Sequence, residues 1–232
     1  MELSARKKLN PKIITIDGPS GVGKGTIALM VADYLGYNYL DSGSLYRSLA
    51  LALSEKNIDL TKDINDIEKS INELEIDFKY DKNGKTSIFV NKIDFTKKIR
   101  TEKVAKMASQ IAKNAKARKM LEVVQRRYIK APGLVADGRD MGTKVFNEAN
   151  IKFFLTASVE KRAERRLNQL KDQGISANLP NLIHELLLRD KADTERTISP
   201  LVPADDAILV DTSELSATEV FNKIKELIDK NI

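Results

Sequence analysis

The chain has 232 residues, a formal net charge of +6, 42% hydrophobic and 31% charged residues. That balance is ordinary for a soluble globular protein and sufficient for one sizeable α/β domain with appendages. Zero cysteines exclude disulfides and thiolate metal sites and agree with a reducing, cytoplasmic setting. No apolar run approaches the ~20 residues that span a bilayer, and the basic start MELSARKKLNPK runs into a strand rather than an apolar leader. Neither a membrane span nor a signal peptide is expected.

Ile13, Ile14 and Ile16 form a short β-branched run that predicts a buried strand. GPSGVGKGT follows, from Gly18 through Pro19, Ser20, Gly21, Val22, Gly23, Lys24 and Gly25 to Thr26, and then a helix carrying Ile27, Val31 and Leu35. Strand, glycine-rich loop, lysine and helix make a P-loop. Its backbone N–H groups and the helix N-terminus point at a phosphate chain, and Lys24 supplies a mobile cation. Gly25 separates the lysine from the hydroxyl of Thr26. This spacing resembles nucleoside monophosphate kinases more than GTPases or motor ATPases.

Tyr37–Leu40 predicts a second strand that ends in Asp41-Ser42-Gly43, with a helix after it carrying Leu45, Leu49 and Leu53. Ligands of open parallel sheets bind at the carboxyl ends of strands, which places LDSGSLYR opposite the P-loop. Residues 59–99 change character, with a short helical piece (Ile64, Ile67, Ile71, Leu74) and then alternation at Ile76, Phe78 and Tyr80. After an Asn83-Gly84 turn, Thr86, Ile88 and Val90 alternate again, followed by Ile93 and Phe95. Period-two runs around Asn-Gly predict a small three-stranded antiparallel sheet.

A helical pattern runs from Thr101 to Ile129 and is broken by Pro132-Gly133. Leu134–Ala136 is the next strand, closing on Asp137-Gly138-Arg139-Asp140, and Ile151–Leu155 the one after. A basic helix (Glu160–Lys171), a polar loop, a helix from about Asn181 to Thr194, a strand at Ala207–Val210 and a last helix opened by the Ser216/Glu219 capping box complete the chain. Five strands alternating with helices predict a P-loop, doubly wound, five-stranded parallel sheet with helices on both faces, plus the inserted antiparallel subdomain and a lid. The core would comprise residues 1–58 and 100–232, the insertion 59–99, and the lid would lie within about 162–196.

Phosphoryl transfer needs positioning and positive charge more than covalent chemistry, and arginine binds phosphate bidentately without deprotonating. Arg47 follows the second strand, Arg139 lies just beyond the buried strand Leu134–Ala136, Arg162, Arg165 and Arg166 share one helix, and Arg189 and Arg196 flank the far end of its loop. The net positive charge also permits a nucleotide-gated nucleic-acid-binding protein, but no aromatic-interleaved basic stripe accompanies it. Lone His184 lies among Leu182, Ile183 and Leu186 and reads as structural.

GPSGVGKGT, LDSGSLYR, IRTEKV, ADGRDMGT and RDKADTER…SPLVPADDA together resemble the bacterial cytidylate kinases over essentially the whole chain. The resemblance implies an ATP- and Mg²⁺-dependent kinase of CMP and dCMP. Lys24, Arg139, Arg189 and Arg196 would be catalytic, and Gly18–Thr26 with Arg162 and Arg166 would hold ATP, with Thr26 on Mg²⁺. It assigns Arg47, Arg139 and Arg196 to the acceptor's phosphate, Ser42, Arg189 and Asp193 to the ribose, and Ser109, Arg118 and Asp140 to the base. Lys191-Ala192 departs from arginine-rich family versions, and the extension through Asn10 matches no motif. Asp137 is open between orienting metal-bound water and capping a turn. The alternative is a P-loop kinase of another acceptor, such as UMP, AMP or another small phosphorylated metabolite. No nucleic acid or membrane partner is expected, and a monomer is the default.

Overall fold

The computed structural model describes residues 11–58, 68–69, 71, 73, 75–80, 86–172 and 174–231. The extension through Asn10, the positions Ile64, Ile67 and Leu74, and the Asn83-Gly84 turn lie outside the described residues.

Strands β1 (Lys12–Asp17), β2 (Asn38–Asp41), β6 (Gly133–Gly138), β7 (Ile151–Thr156) and β8 (Ile208–Asp211) form one five-stranded sheet in the order β2-β6-β1-β7-β8. Every pairing in it is parallel. Between these strands come helices α1 (Lys24–Leu35), α2 (Ser42–Glu55), α3 (Glu102–Ile111), α4 (Ala115–Arg126), α5 (Val159–Asp172), α6 (Leu179–Thr194) and α7 (Ala217–Asn231). The expected doubly wound sheet is what the chain builds.

Alternation along the strands divides the core in two, because successive side chains leave opposite faces. Ile13, Leu40, Leu134 and Ala136 pack with Leu45 and Leu49 of α2, Val104 and Ile111 of α3 and Leu121 of α4. Ile14, Ile16, Val135, Phe153 and Leu155 pack on the other face with Ile27 and Val31 of α1 and Val220, Ile224 and Ile228 of α7. Covered on both faces, β6 is buried along its whole length.

Strands β3 (Ile76–Tyr80), β4 (Thr86–Val90) and β5 (Ile93–Asp94) form the second, antiparallel sheet, in that order. Its Ile76, Ile88, Val90 and Phe95 join the core of α2 and α3 rather than making one of their own. Tyr128 ties it down, with its hydroxyl donating to the Ile76 carbonyl at 2.7 Å and its ring 5.8 Å from Phe78. Helices α5 and α6 pair over a third, small cluster of Ala163, Leu182 and Leu186.

The single helical pattern of 101–129 is two helices. Asn114 interrupts it by accepting from the Ala117 N–H at 3.0 Å as the N-cap of α4. Helix α6 starts at Leu179, two residues before the expected Asn181, because Asn178 caps it through the Asn181 N–H. The Ser216/Glu219 box closes as expected, with Glu219 accepting from the Ser216 N–H at 2.8 Å and Ser216 Oγ from the Glu219 N–H at 3.3 Å. His184 is exposed on α6 rather than packed.

Candidate active site

The loop between β1 and α1 crosses the carboxyl end of the sheet. Gly18 has φ +147° and lies so close to β7 that a Cβ would sit 2.2 Å from the Leu155 carbonyl oxygen, so glycine is required there. Val22 turns its side chain into the core and offers the site only its backbone. Thr26 is exposed in the first turn of α1. Lys24 is buried, with Nζ donating to the Pro19 carbonyl at 2.7 Å. Burial and the Arg139 guanidinium drive its pKa well below the usual lysine value, while Asp137 and Asp17 act in the opposite direction.

Two buried carboxylates flank that lysine. Asp17, at the end of β1, accepts from the Met141 and Gly142 N–H groups at 2.9 and 2.8 Å, which fastens the turn after β6 to the base of the P-loop. Burial raises its pKa to about 6 against those two hydrogen bonds. Asp137 accepts from the Tyr39 hydroxyl at 2.6 Å. Burial and the neighbouring Asp41 raise its pKa to about 7.

An acid whose folded pKa exceeds its unfolded value holds a proton that the unfolded chain has released, so stability falls as pH rises across that window. For Asp137 the window runs from the ordinary aspartate value of 3.8 to about 7. Asp137→Asn is therefore expected to flatten the decline of Tm over this range. It should also stabilise the protein at pH 8 by ~1–3 kcal/mol, a Tm rise of several degrees. A pH series of thermal melts checks it, and an unchanged pH dependence would show that Asp137 does not titrate there.

Arginines from four elements surround the cleft. Arg139, just past β6, donates through Nε to Asp193 of α6 at 2.8 Å. Burial opposes ionisation of Asp193, yet Arg139 and Arg189 hold its pKa below the usual carboxylate value. Arg47 of α2 donates to the Ile99 carbonyl at 3.0 Å. Burial, then Arg139 and Arg166, lower its pKa. The Arg189 side chain makes no hydrogen bond to another described residue, and burial with the like charges of Arg139 and Arg47 brings its pKa down to about 10. A buried guanidinium depressed by like charges in this way marks a place where an anion is favoured.

Deeper in the cleft, Asp140 binds Arg118 of α4 through Oδ2, and its Oδ1 lies 3.8 Å from Arg196. The Arg118 guanidinium also lies 5.8 Å from the Tyr46 ring centre. Arg196 thus faces the carboxylate expected to read the base, its Nε donates to the Ser199 carbonyl, and it also lies close enough to Arg139 and Asp193 to feel the charge of both. Ser109 is half-buried on α3 and makes no hydrogen bond to the other candidates. Ser42 opens α2, buried beside its N-cap Asp41.

Helix α5 grips the P-loop from outside. Arg162 donates to the Ser20 carbonyl at 3.1 Å and pairs with Asp190 of α6 at 2.6 Å. Arg165 reaches the Val22 carbonyl at 3.4 Å and Thr212 Oγ1 at 3.1 Å. Arg166 approaches the Arg47 side of the cleft instead.

A family model described as cytidylate kinase matches residues 14–230. The chain belongs to the cytidylate kinase family. Relatives named cytidylate kinase come from Colwellia psychrerythraea (45% identical, covering 91% of this chain and 93% of the relative) and Stutzerimonas stutzeri (46%, 95% and 96%). One from Haemophilus influenzae, named cytidylate kinase 1, is 44% identical over 94% of each chain. Among solved structures, a gluconokinase from Sinorhizobium meliloti covers 97% of this chain and 95% of its own at 14% identity, with a TM-score of 0.48.

As a member of the cytidylate kinase family, the protein is a kinase and a phosphotransferase. No described helix is long and apolar enough to cross a membrane. Several residues that shape the site carried no sequence signal of their own. Asp17, Tyr39 and Tyr46 read as strand or helix positions, and apart from the family resemblance, which singled out Arg162 and Arg166, nothing set Arg165 apart from them. Helical phase could have separated these last three, since adjacent positions on a helix point about 100° apart.

Proposed function

We propose that the protein transfers the γ-phosphoryl group of ATP to CMP and dCMP by direct in-line displacement, with no covalent enzyme intermediate. The observation that carries this is the cluster of Arg47, Arg139 and Arg189 facing the buried Lys24, because two phosphate chains can meet only where their repulsion is cancelled. Gly18–Thr26 would wrap the donor phosphates. Arg47 and Arg139 would hold the acceptor phosphate, with Arg196 joining them once it leaves Asp140. Ser42, Arg189 and Asp193 would hold the sugar. Asp140 would accept from the cytosine amine while Arg118 and Ser109 donate to N3 and O2.

No group of three or more His, Cys, Asp or Glu side chains able to hold a metal occurs among the described residues. That donor set fits Mg²⁺ arriving on the nucleotide, with the exposed Thr26 hydroxyl as its protein contact and Asp137 within the buried cluster behind it. When bound, the ion would neutralise charge on the β- and γ-phosphate oxygens.

Coupled ADP-release assays with ATP·Mg²⁺ against CMP, dCMP, UMP, AMP, GMP and dTMP test the proposal. Strong turnover with CMP and dCMP and weak turnover with the others is expected. Strong turnover with a different acceptor would discard the specificity, and no turnover with any of them would discard the activity.

A further inference from the structure

Gln125 lies in the last turn of α4 and is 1% exposed, so it cannot reach solvent. Its Nε2 donates to Ser42 Oγ at 2.8 Å, a buried contact between residues 83 positions apart in the chain. Its Oε1 is buried without a hydrogen-bond partner among the described residues. A half-satisfied buried amide costs free energy that an apolar side chain of similar volume would not. Packing alone therefore gives no reason for glutamine here. The one thing this amide accomplishes is done to Ser42.

Ser42 is buried at the start of α2, directly after Asp41. Asp41 in turn lies close enough to Asp137 and Arg47 to shift both, so Ser42 borders the cleft. A serine hydroxyl rotates freely and can donate once while accepting twice. Donation from Nε2 fills one lone pair and restricts that rotor. What Ser42 can still offer is its own O–H and a second lone pair, held in a set direction. The same helix carries Arg118 two turns earlier, on the base-reading carboxylate Asp140. Helix α4 thus touches both the residue expected to read the sugar and the group expected to read the base.

We infer that Gln125 is a positioning residue that fixes the Ser42 hydroxyl for a sugar hydroxyl of the acceptor nucleotide, and so sets how the enzyme ranks acceptors that carry that hydroxyl against those that lack it. This rests on the proposed CMP kinase activity. Gln125→Met keeps the volume and removes the donor. Its KM for CMP should rise about tenfold with kcat within about twofold, the scale of one lost hydrogen bond. The rise should be smaller for either dCMP or 3′-deoxy-CMP, whichever lacks the hydroxyl that Ser42 reads. KM for ATP should not move. Because Oε1 has no partner to lose, Tm should hold or increase.

Steady-state kinetics on the three acceptors, for wild type, Gln125→Met, Ser42→Ala and the double variant, is the experiment. The two single changes should share one acceptor pattern, and the double variant should lose no more than Ser42→Ala alone. Equal losses on all three acceptors with a lowered Tm would make Gln125 a structural residue and overturn the inference, as would unaltered kinetics or additive losses. A wild-type enzyme inactive on all three would instead overturn the activity, and this inference with it.

Discussion

Lys24→Met is expected to lower the turnover number by ~10³-fold while CMP affinity stays within about twofold. Lys24 is the cation at the P-loop, and its Nζ, now on the Pro19 carbonyl, is the group that would follow charge onto the transferred phosphoryl oxygens. CMP binding should survive because the proposed acceptor contacts come from other elements, α2, α3, α4, α6 and the turn after β6. Methionine suits the burial of this position and leaves no uncompensated positive charge. Asp17 and Asp137 lose an opposite charge, which favours their protonated forms. Single-turnover kinetics together with calorimetric titration of CMP separates the two quantities. Near-normal turnover would show that catalysis lies outside the P-loop.

Changing Asp140 should produce the second large effect, on selectivity. Asp140→Ala is expected to reduce kcat/KM for CMP by ~10³-fold and that for UMP far less, since uracil presents a carbonyl where cytosine presents its amine. Asp140 is also the carboxylate between Arg118 and Arg196, both with nearly buried side chains. Removing it strands positive charge in the interior, at a cost of ~3–5 kcal/mol, so a fall in Tm should accompany the alanine. Asp140→Asn keeps the shape and separates these effects. Its amide can accept from the cytosine amine in one orientation and donate to the uracil carbonyl in the other, so the preference for CMP over UMP should collapse towards parity. Parallel assays of both variants on both acceptors decide the matter. Equal losses for CMP and UMP would remove Asp140 from base reading.

Much of the fold was legible because its signals are local. The P-loop shows itself through glycines next to a lysine, the five strands through apolar runs bounded by turns, and the last helix through a capping box within four residues. The break at Asn114 was also local but was overridden by apolar periodicity on both sides of it. The site was legible as a set of residue types and much less as an arrangement. Eight arginines were candidates, and nothing in their spacing showed that Arg162 and Arg165 would reach P-loop carbonyls, that Arg47 and Arg189 would lie with Arg139, or that Arg118 and Arg196 would approach one carboxylate.

The sequence by itself determined the secondary elements, the parallel class of the sheet and the chemistry of the loop after β1, since each depends on neighbours a few positions away. Only the tertiary structure decided which strands adjoin, that the small sheet shares the core of α2 and α3, and which charge meets which. Those choices depend on contacts such as Tyr39 with Asp137, 98 residues apart, and Gln125 with Ser42, 83 apart. Such pairs have no periodicity to betray them. They form because a buried polar group must find a partner once folding has taken its water away.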